Sequence, residues 1–437
     1  MLFLRQAKRT LFYSLTFTSF DCMKLNELRD KKIVILGFAR EGRDNFLFLR
    51  KLFPKKVIGI ADKLEGIKKP DKNSRLHLGK SYLPSLKKYD AVFKSPGIPF
   101  KMLPKPVVKK LITQTEIFFD NCPGMIVGIT GTKGKSTTSA MIYDILKAGK
   151  IKAHLIGNIG KPVLSSLLKA KKDDVFVYEL SSFQLTGLTK SPLVAVFLNV
   201  FPEHLDYYRG FREYARAKAN ITLHQGKNDY LVYNSGDKLV REFAKKTKAK
   251  RIAIKGRYYE LDKAAAKAVG KIFKIPGKIV DRTIKEFKTL PHRLEPVGRF
   301  RGITFYNDAL STIPEATMAA MDFLGDRIQT IMLGGFERNI DFKNLARKVL
   351  KSKIKTVILF PTTGERIWIE IMKLSRGRGV PKHFFANNMP DAVKLAYKHT
   401  SKGKICLLSC ASSSFSIFRD YKEKGNLFKK YVKKYGR

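Results

Sequence analysis

Met125–Thr138 reads MIVGITGTKGKSTT. Apolar or small residues from Met125 to Ile129 predict a buried strand, Thr130 to Gly134 a glycine-rich turn, and the residues from about Lys135 a helix. Glycines let backbone N–H groups turn inward around phosphate oxygens, and the helix N-terminus adds partial positive charge. In this pattern Gly131, Thr132, Lys133, Gly134 and Thr137 line the cradle. Lys135 reaches the β/γ-phosphates, and the Ser136 hydroxyl is placed to ligate Mg²⁺. The spacing departs from G-x-x-x-x-G-K-[ST], because Ile129 stands at the first glycine position and Gly131 follows two residues later. A strand on one side and a helix on the other favour a nucleoside triphosphate site over a chance glycine turn.

Upstream, Lys31–Phe38 predicts a strand feeding Gly37-Phe38-Ala39-Arg40-Glu41-Gly42 and a helix to about Phe53. This resembles the dinucleotide fingerprint with its middle glycine replaced by Ala39. Val57–Ala61 is a second strand, followed by Asp62, twenty residues past Gly42, a distance at which a carboxylate commonly holds a sugar hydroxyl or a base edge. Asp90–Lys94 is a third, ending in Ser95-Pro96-Gly97-Ile98. Downstream, Asp174–Leu180 carries Glu179, a carboxylate whose burial is costly unless it is paired or metal-bound. Leu193–Val200 runs into Phe201–Asp206 with His204, and Phe211–Leu223 predicts a helix carrying Lys218. Ser136, Glu179 and His204 all lie at or just past strand ends, where open α/β sheets bind ligands, and they can hold one or two Mg²⁺. A further strand–helix series starts at Gly302–Asp308, with strands at Gln329–Gly335, Lys355–Pro361, His383–Ala386 and Lys404–Cys410. The expected class is α/β with three domains, at 24–115, 116–290 and 291–437.

The 437 residues are 44% hydrophobic and 28% charged, a globular composition with ample core material. No apolar run approaches the ~18 residues of a membrane span. The four cysteines, Cys22, Cys122, Cys406 and Cys410, are too few for a disulfide scaffold and suit a reducing compartment; Cys406 and Cys410 read as core. With 86 Lys+Arg against 37 Asp+Glu the formal charge is +49. The cations are mostly lysine and spread along the whole chain, without an aromatic-interleaved stripe. A basic surface that attracts anionic substrates therefore fits better than specific nucleic-acid binding. Residues 1–23 read as a translation start placed too far upstream and are expected to be poorly ordered.

Taken jointly, GITGTKGKSTT, GNIG, ELSSFQL, NVFPEHLD, ARAK, LPHRLE (Leu290–Glu295), YND (Tyr306–Asp308), LGG (Leu333–Gly335) and LLSCASSSF (Leu407–Phe415) resemble the Mur ligases, in particular their D-glutamate-adding branch. The resemblance runs from about residue 24 to the C-terminus. It implies an N-terminal Rossmann-like domain for the uridine substrate, a central P-loop ATPase-type α/β domain and a C-terminal Rossmann-like domain for the amino acid. It implies ATP and Mg²⁺ as cofactors, UDP-N-acetylmuramoyl-L-alanine and D-glutamate as substrates, and an acyl-phosphate intermediate. It also implies a cytoplasmic monomer in peptidoglycan precursor synthesis, with no membrane insertion. By position, Lys135 steadies the γ-phosphate, while Ser136, Glu179, His204 and a CO₂-carbamylated Lys218 hold metal. Arg293 and Asp308 match contacts to ATP, and Asn158, Ser181 and Gln184 lie near the reacting carboxylate. Arg338, Ser414 and Tyr421 match the amino-acid pocket; Glu41, Asp62, Ser95, Pro96 and Gly97 match the uridine diphosphate site.

Three departures stand out. Gly256–Asp262 lacks the His and Asn that contact adenine in the family, Leu310 replaces a lysine at the incoming amino acid, and Ser416 replaces an Asp. They keep open a related ligase with another incoming amino acid. A non-catalytic nucleotide- or nucleic-acid-binding protein is a third reading, motivated by the charge.

Overall fold

The computed structural model describes residues 25, 27–204, 207–256 and 258–437. The expectation for residues 1–23 falls outside these, as do Leu205, Asp206 and Arg257. Three sheets organise the chain. β1 (Ile33–Leu36), β2 (Ile58–Asp62), β3 (Ser74–Leu78), β4 (Ala91–Lys94) and β5 (Leu111–Ile112) form a parallel sheet in the order β3-β2-β1-β4-β5. β6 (Met125–Thr130), β7 (Ala153–Gly157), β8 (Val175–Glu179), β9 (Val194–Phe197), β10 (Tyr230–Asn234) and β11 (Lys250–Ile254) follow the order β11-β10-β9-β6-β8-β7. β12 (Glu295–Phe300), β13 (Ile303–Asn307), β14 (Ile328–Gly334), β15 (Thr356–Phe360), β16 (Lys382–Phe385) and β17 (Ile405–Leu408) run β12-β13-β17-β14-β15-β16. The class is α/β, as expected.

The strand cores are apolar on both faces because helices cover both sides of parallel sheets. In the third sheet Ile331, Leu333, Val357 and Leu359 enter one core, while Met332, Ile358 and Phe360 enter the other. That alternation is the two-residue period of a strand. Cys406 and Cys410 are buried in the second of these cores, as read.

Three strands carry weak signals in the sequence. β3 and β5 are short and partly exposed edges, with little apolar signal. β12 reads EPVGRF, and its Pro and Gly look like a turn; it is an antiparallel edge strand with a register shift between Pro296 and Gly298. Proline is tolerated at an edge or a bulge, where no ladder N–H is missed.

The chain divides into two compact units. The first comprises Met1–Val127, His154–Leu193 and Pro202–Gln225; the second Gly128–Ala153, Val194–Phe201 and Gly226–Arg437. Within the first, Asp44 of helix Arg40–Leu52 accepts hydrogen bonds from Leu164 N (2.9 Å), Ser165 N (3.2 Å), the Ser165 hydroxyl and Gln114 Nε2 (2.8 Å). It thereby serves the otherwise orphaned N–H groups of helix Val163–Leu167 from outside that helix. Arg40 adds bonds to the carbonyls of Asn158 and Gly160, both 3.2 Å.

Within the second unit, Gly134 caps helix Lys135–Ala148 in the left-handed region (φ 87°), and a Cβ there would stand 2.4 Å from Asp262 Oδ1. Asp262 lies on helix Tyr259–Ile272 and accepts from the Thr138 hydroxyl at 2.8 Å. Burial pushes its carboxyl up to about 7, against the Thr138 bond and the Arg293 charge. A carboxyl raised in the folded state is stabilising while protonated, and that contribution is lost as pH rises from the unfolded value near 3.8 through about 7. Asp262→Asn removes the ionisation and keeps an acceptor for Thr138. Its Tm relative to the unsubstituted protein should rise between pH 4 and pH 8, and thermal scans across that range check it.

Candidate active site

The sequence-predicted residues fall into two groups, one in each unit. In the second unit the phosphate loop is built against the segment after β9. Thr132 N donates to Asn199 O at 2.9 Å, Lys133 N donates to Asn199 Oδ1 at 2.9 Å, and Asn199 Nδ2 returns a bond to Lys133 O at 3.0 Å. Gly131 passes so close to Leu198 that a Cβ would meet the leucine Cβ at 3.0 Å. Lys135 Nζ donates to the loop carbonyls of Gly131 (2.9 Å) and Thr132 (3.1 Å). Its amine therefore sits at the loop mouth, where phosphate oxygens would compete for it.

Arg293 Nη2 donates to Ser136 Oγ at 2.9 Å. The flanking His292 and Leu294 both adopt positive φ, 66° and 43°, a conformation that side-chain-bearing residues seldom take. That backbone is pinned by His292 N to Glu295 Oε2 (2.9 Å) and Leu294 N to Asp308 Oδ1 (3.1 Å). Asp308 also accepts from the Ser311 (2.5 Å) and Ser409 (2.7 Å) hydroxyls, and burial still pushes its carboxyl up to about 6. Asp308 thus shapes the segment that aims Arg293. Arg338 Nη1 reaches Ser413 Oγ at 3.4 Å, and Ser414 is buried, its hydroxyl without a hydrogen-bond partner among the described residues. Tyr421 opens the last helix with its ring edge-on to His292, 5.8 Å between centroids. Leu310 is half-buried and its N–H is bonded to His292 O.

In the first unit Glu179 ends β8, 3% exposed, and its Oε2 has no hydrogen-bond partner among the described residues. An ionised oxygen cannot be left so without cost, so the position suits a cation. Ser181 and Gln184 form a capping box on helix Ser182–Leu185: Gln184 N donates to Ser181 Oγ at 3.3 Å and Ser181 N to Gln184 Oε1 at 3.0 Å. The S-x-x-Q spacing therefore has a local structural use besides any contact with substrate. His204 takes φ 58°, and the Phe183 ring packs 4.7 Å from it. Lys218 is 2% exposed on helix Phe211–Leu223, its ammonium 4.8 Å above the Tyr214 ring.

At the first sheet, Asp62 Oδ2 accepts from Phe38 N (2.7 Å) and Oδ1 from Leu64 N (2.9 Å), tying the end of β2 to the turn after β1. Glu41 and Lys94 form a coupled pair in which burial raises the carboxyl and lowers the amine. Lys94 Nζ donates to Ser95 O at 3.0 Å and Pro96 O at 3.4 Å. A cavity of about 900 Å³ opens between Phe38, Phe46, Leu64 and Ile67, with Arg43, Lys68 and Lys69 at its wall. Its lining includes Phe38 and Leu64, the two residues whose N–H groups donate to Asp62. Lys94, Arg43, Lys68 and Lys69 had no expectation, although a lysine ending the buried run AVFK was a visible signal.

The donor set bears on the metal. No group of three His, Cys, Asp or Glu stands together among the described residues. The orphaned carboxylate oxygen of Glu179 suits Mg²⁺, which is held by few protein oxygens with phosphate and water completing its octahedron.

The family model for the Mur ligase middle domain matches residues 129–287. UDP-N-acetylmuramoylalanine–D-glutamate ligase of Acetivibrio thermocellus is 33% identical over 465 aligned residues, covering 94% of this chain and 98% of the relative. The same ligase of Streptococcus pyogenes serotype M5 is 30% identical, covering 92% and 97%. Among solved structures, the MurF ligase of Thermotoga maritima in complex with ADP aligns with a TM-score of 0.59 at 17% identity, covering 95% of this chain and all of that one. The chain belongs to the Mur ligase family, in its UDP-N-acetylmuramoylalanine–D-glutamate ligase branch.

Proposed function

We propose that this chain joins D-glutamate to UDP-N-acetylmuramoyl-L-alanine at the expense of ATP, as a cytoplasmic monomer supplying peptidoglycan precursors. The observation that carries the reading is the 33% identity over 98% of a D-glutamate ligase, a match that extends far beyond the phosphate loop. The domain partition of this reading is 24–115 for the uridine substrate, 116–290 for ATP and 291–437 for the amino acid.

The chemistry needs a leaving group. An alanyl carboxylate oxygen attacks the γ-phosphorus, the bond to the β,γ-bridging oxygen breaks, and ADP departs. The amine of D-glutamate then attacks the acyl carbon, loses a proton, and phosphate leaves with the former carboxylate oxygen. The protein contributes position and charge. Backbone N–H groups of Gly131–Thr137 hold the phosphates, Lys135 and Arg293 offset the charge that moves onto the bridging oxygen, and Asp308 keeps Arg293 aimed. Ser136, Glu179, His204 and a carbamate on Lys218 would hold Mg²⁺, which when bound neutralises the triphosphate. Burial of Lys218 supports the carbamate over a solvated surface lysine. The cavity beside Asp62 takes the uridine, and Asn158, Ser181 and Gln184 face the reacting end. Arg338, Ser414 and Tyr421 receive the amino acid.

One observation favours a second reading, a ligase of the same mechanism that takes another amino acid. Leu310 offers no cation to a second carboxylate, and losing a charged hydrogen bond there would weaken D-glutamate binding by ~1.5–3 kcal/mol.

Purified protein with ATP, Mg²⁺ and UDP-N-acetylmuramoyl-L-alanine should release phosphate only when D-glutamate is added. Stimulation by a different member of an amino-acid panel selects the second reading, and stimulation by none removes ligase activity. Lys218→Ala should lower kcat by about 10²–10³, the usual cost of one electrostatic stabiliser. Added short carboxylic acids should restore part of it; full activity in Lys218→Ala would dismiss the carbamate.

A further inference from the structure

The turn after β4 is held from two sides. Ser95 N donates to Leu36 O and the Ser95 hydroxyl to Gly37 O (2.9 Å), which fixes its start against β1. Lys94 Nζ takes the carbonyls of Ser95 and Pro96. On the other side a single phenol, Tyr207 Oη, stands 3.1 Å from Pro96 O and 3.2 Å from Ile98 O. With three carbonyls drawn back, the turn presents its remaining edge, at Gly97, to open space: a Cβ built there meets nothing within 4 Å.

Tyr207 also belongs to the His204 segment. Its own N–H donates to His204 O at 3.0 Å. Its ring packs 4.5 Å from Phe183, the same ring that lies 4.7 Å from His204. Tyr208 shares the aromatic cluster, stacked on Phe183 with its hydroxyl 3.1 Å from Thr186, and among the described residues it makes no hydrogen bond to the turn. Proximity of rings is therefore common to both tyrosines, whereas the bonds to the turn are particular to Tyr207.

We infer that Tyr207 is a positioning residue that holds the Ser95–Ile98 turn in register with His204, setting the spacing between the uridine diphosphate end and the reacting end of one substrate. The inference rests on the proposed function for the identity of that substrate. It does not rest on it for the geometry, since every residue named lies in the first unit. Tyr207→Phe keeps the ring and deletes the donor.

Calorimetric titration with UDP alone should show about fivefold weaker binding in Tyr207→Phe, the worth of one net hydrogen bond of about 1 kcal/mol. In steady-state assays KM for the uridine substrate should rise by a similar factor, with KM for ATP unchanged. Tyr208→Phe should leave UDP binding as it is. Tyr207→Trp, which retains an N–H donor, should recover part of the affinity and serves if the Phe variant folds poorly. Equal UDP affinity in Tyr207→Phe and the unsubstituted chain would overturn the inference, as would a loss of Tm with every KM shifted together. The UDP comparison decides the matter even in a chain that releases no phosphate, so failure of this inference and failure of the ligase reading are told apart.

Discussion

Close backbone approach at the phosphate loop is the constraint on which the second unit depends. Gly134 has no room for a Cβ against Asp262, and at Gly131 a Cβ would fit only if Leu198 gave way. A loop that turns its N–H groups inward must pass close to what backs it, so the residues behind it become part of its design. Asn199 answers Lys133 in both directions, and Asp262, beside Gly134, accepts from Thr138 one turn further along the helix. Arg293 then reaches Ser136, so the position of the segment before β12 is tied to the same loop.

The buried charges of the chain separate into two kinds. Asp44 is inaccessible and accepts four hydrogen bonds, from two backbone amides, a hydroxyl and an amide side chain. Such a carboxylate is committed to structure. Glu179 is equally inaccessible, yet one of its oxygens has no hydrogen-bond partner among the described residues. The cost of that arrangement makes sense where a cation arrives with the substrate. The same test distinguishes Asp62, occupied by two backbone amides, from Ser414, whose hydroxyl is buried and unmatched among the described residues. Burial alone does not mark a functional group; burial with an unmet bonding capacity does.

The sequence read well where consecutive residues carry the information. Helix Phe211–Leu223 matched its expected bounds and helix Lys135–Ala148 its expected start, because each is a continuous apolar or amphipathic pattern that follows turn residues. It read poorly at sheet edges such as β3 and β12, where one side is solvated and the apolar pattern thins out. It also missed the double use of Ser181 and Gln184, whose spacing satisfies a helix start as readily as a ligand.

From the sequence alone came the phosphate loop, the α/β class and the identities of the groups available for chemistry, since a strand, a glycine turn and a helix are written in adjacent residues. Only the tertiary structure decided what those groups face. Arg293 meets Ser136 across 157 positions, Asp262 meets Thr138 across 124, and Tyr207 meets Pro96 across 111. No local pattern encodes such pairs, because they come about when helices and strands far apart in the chain pack together and leave each buried polar atom to find a partner.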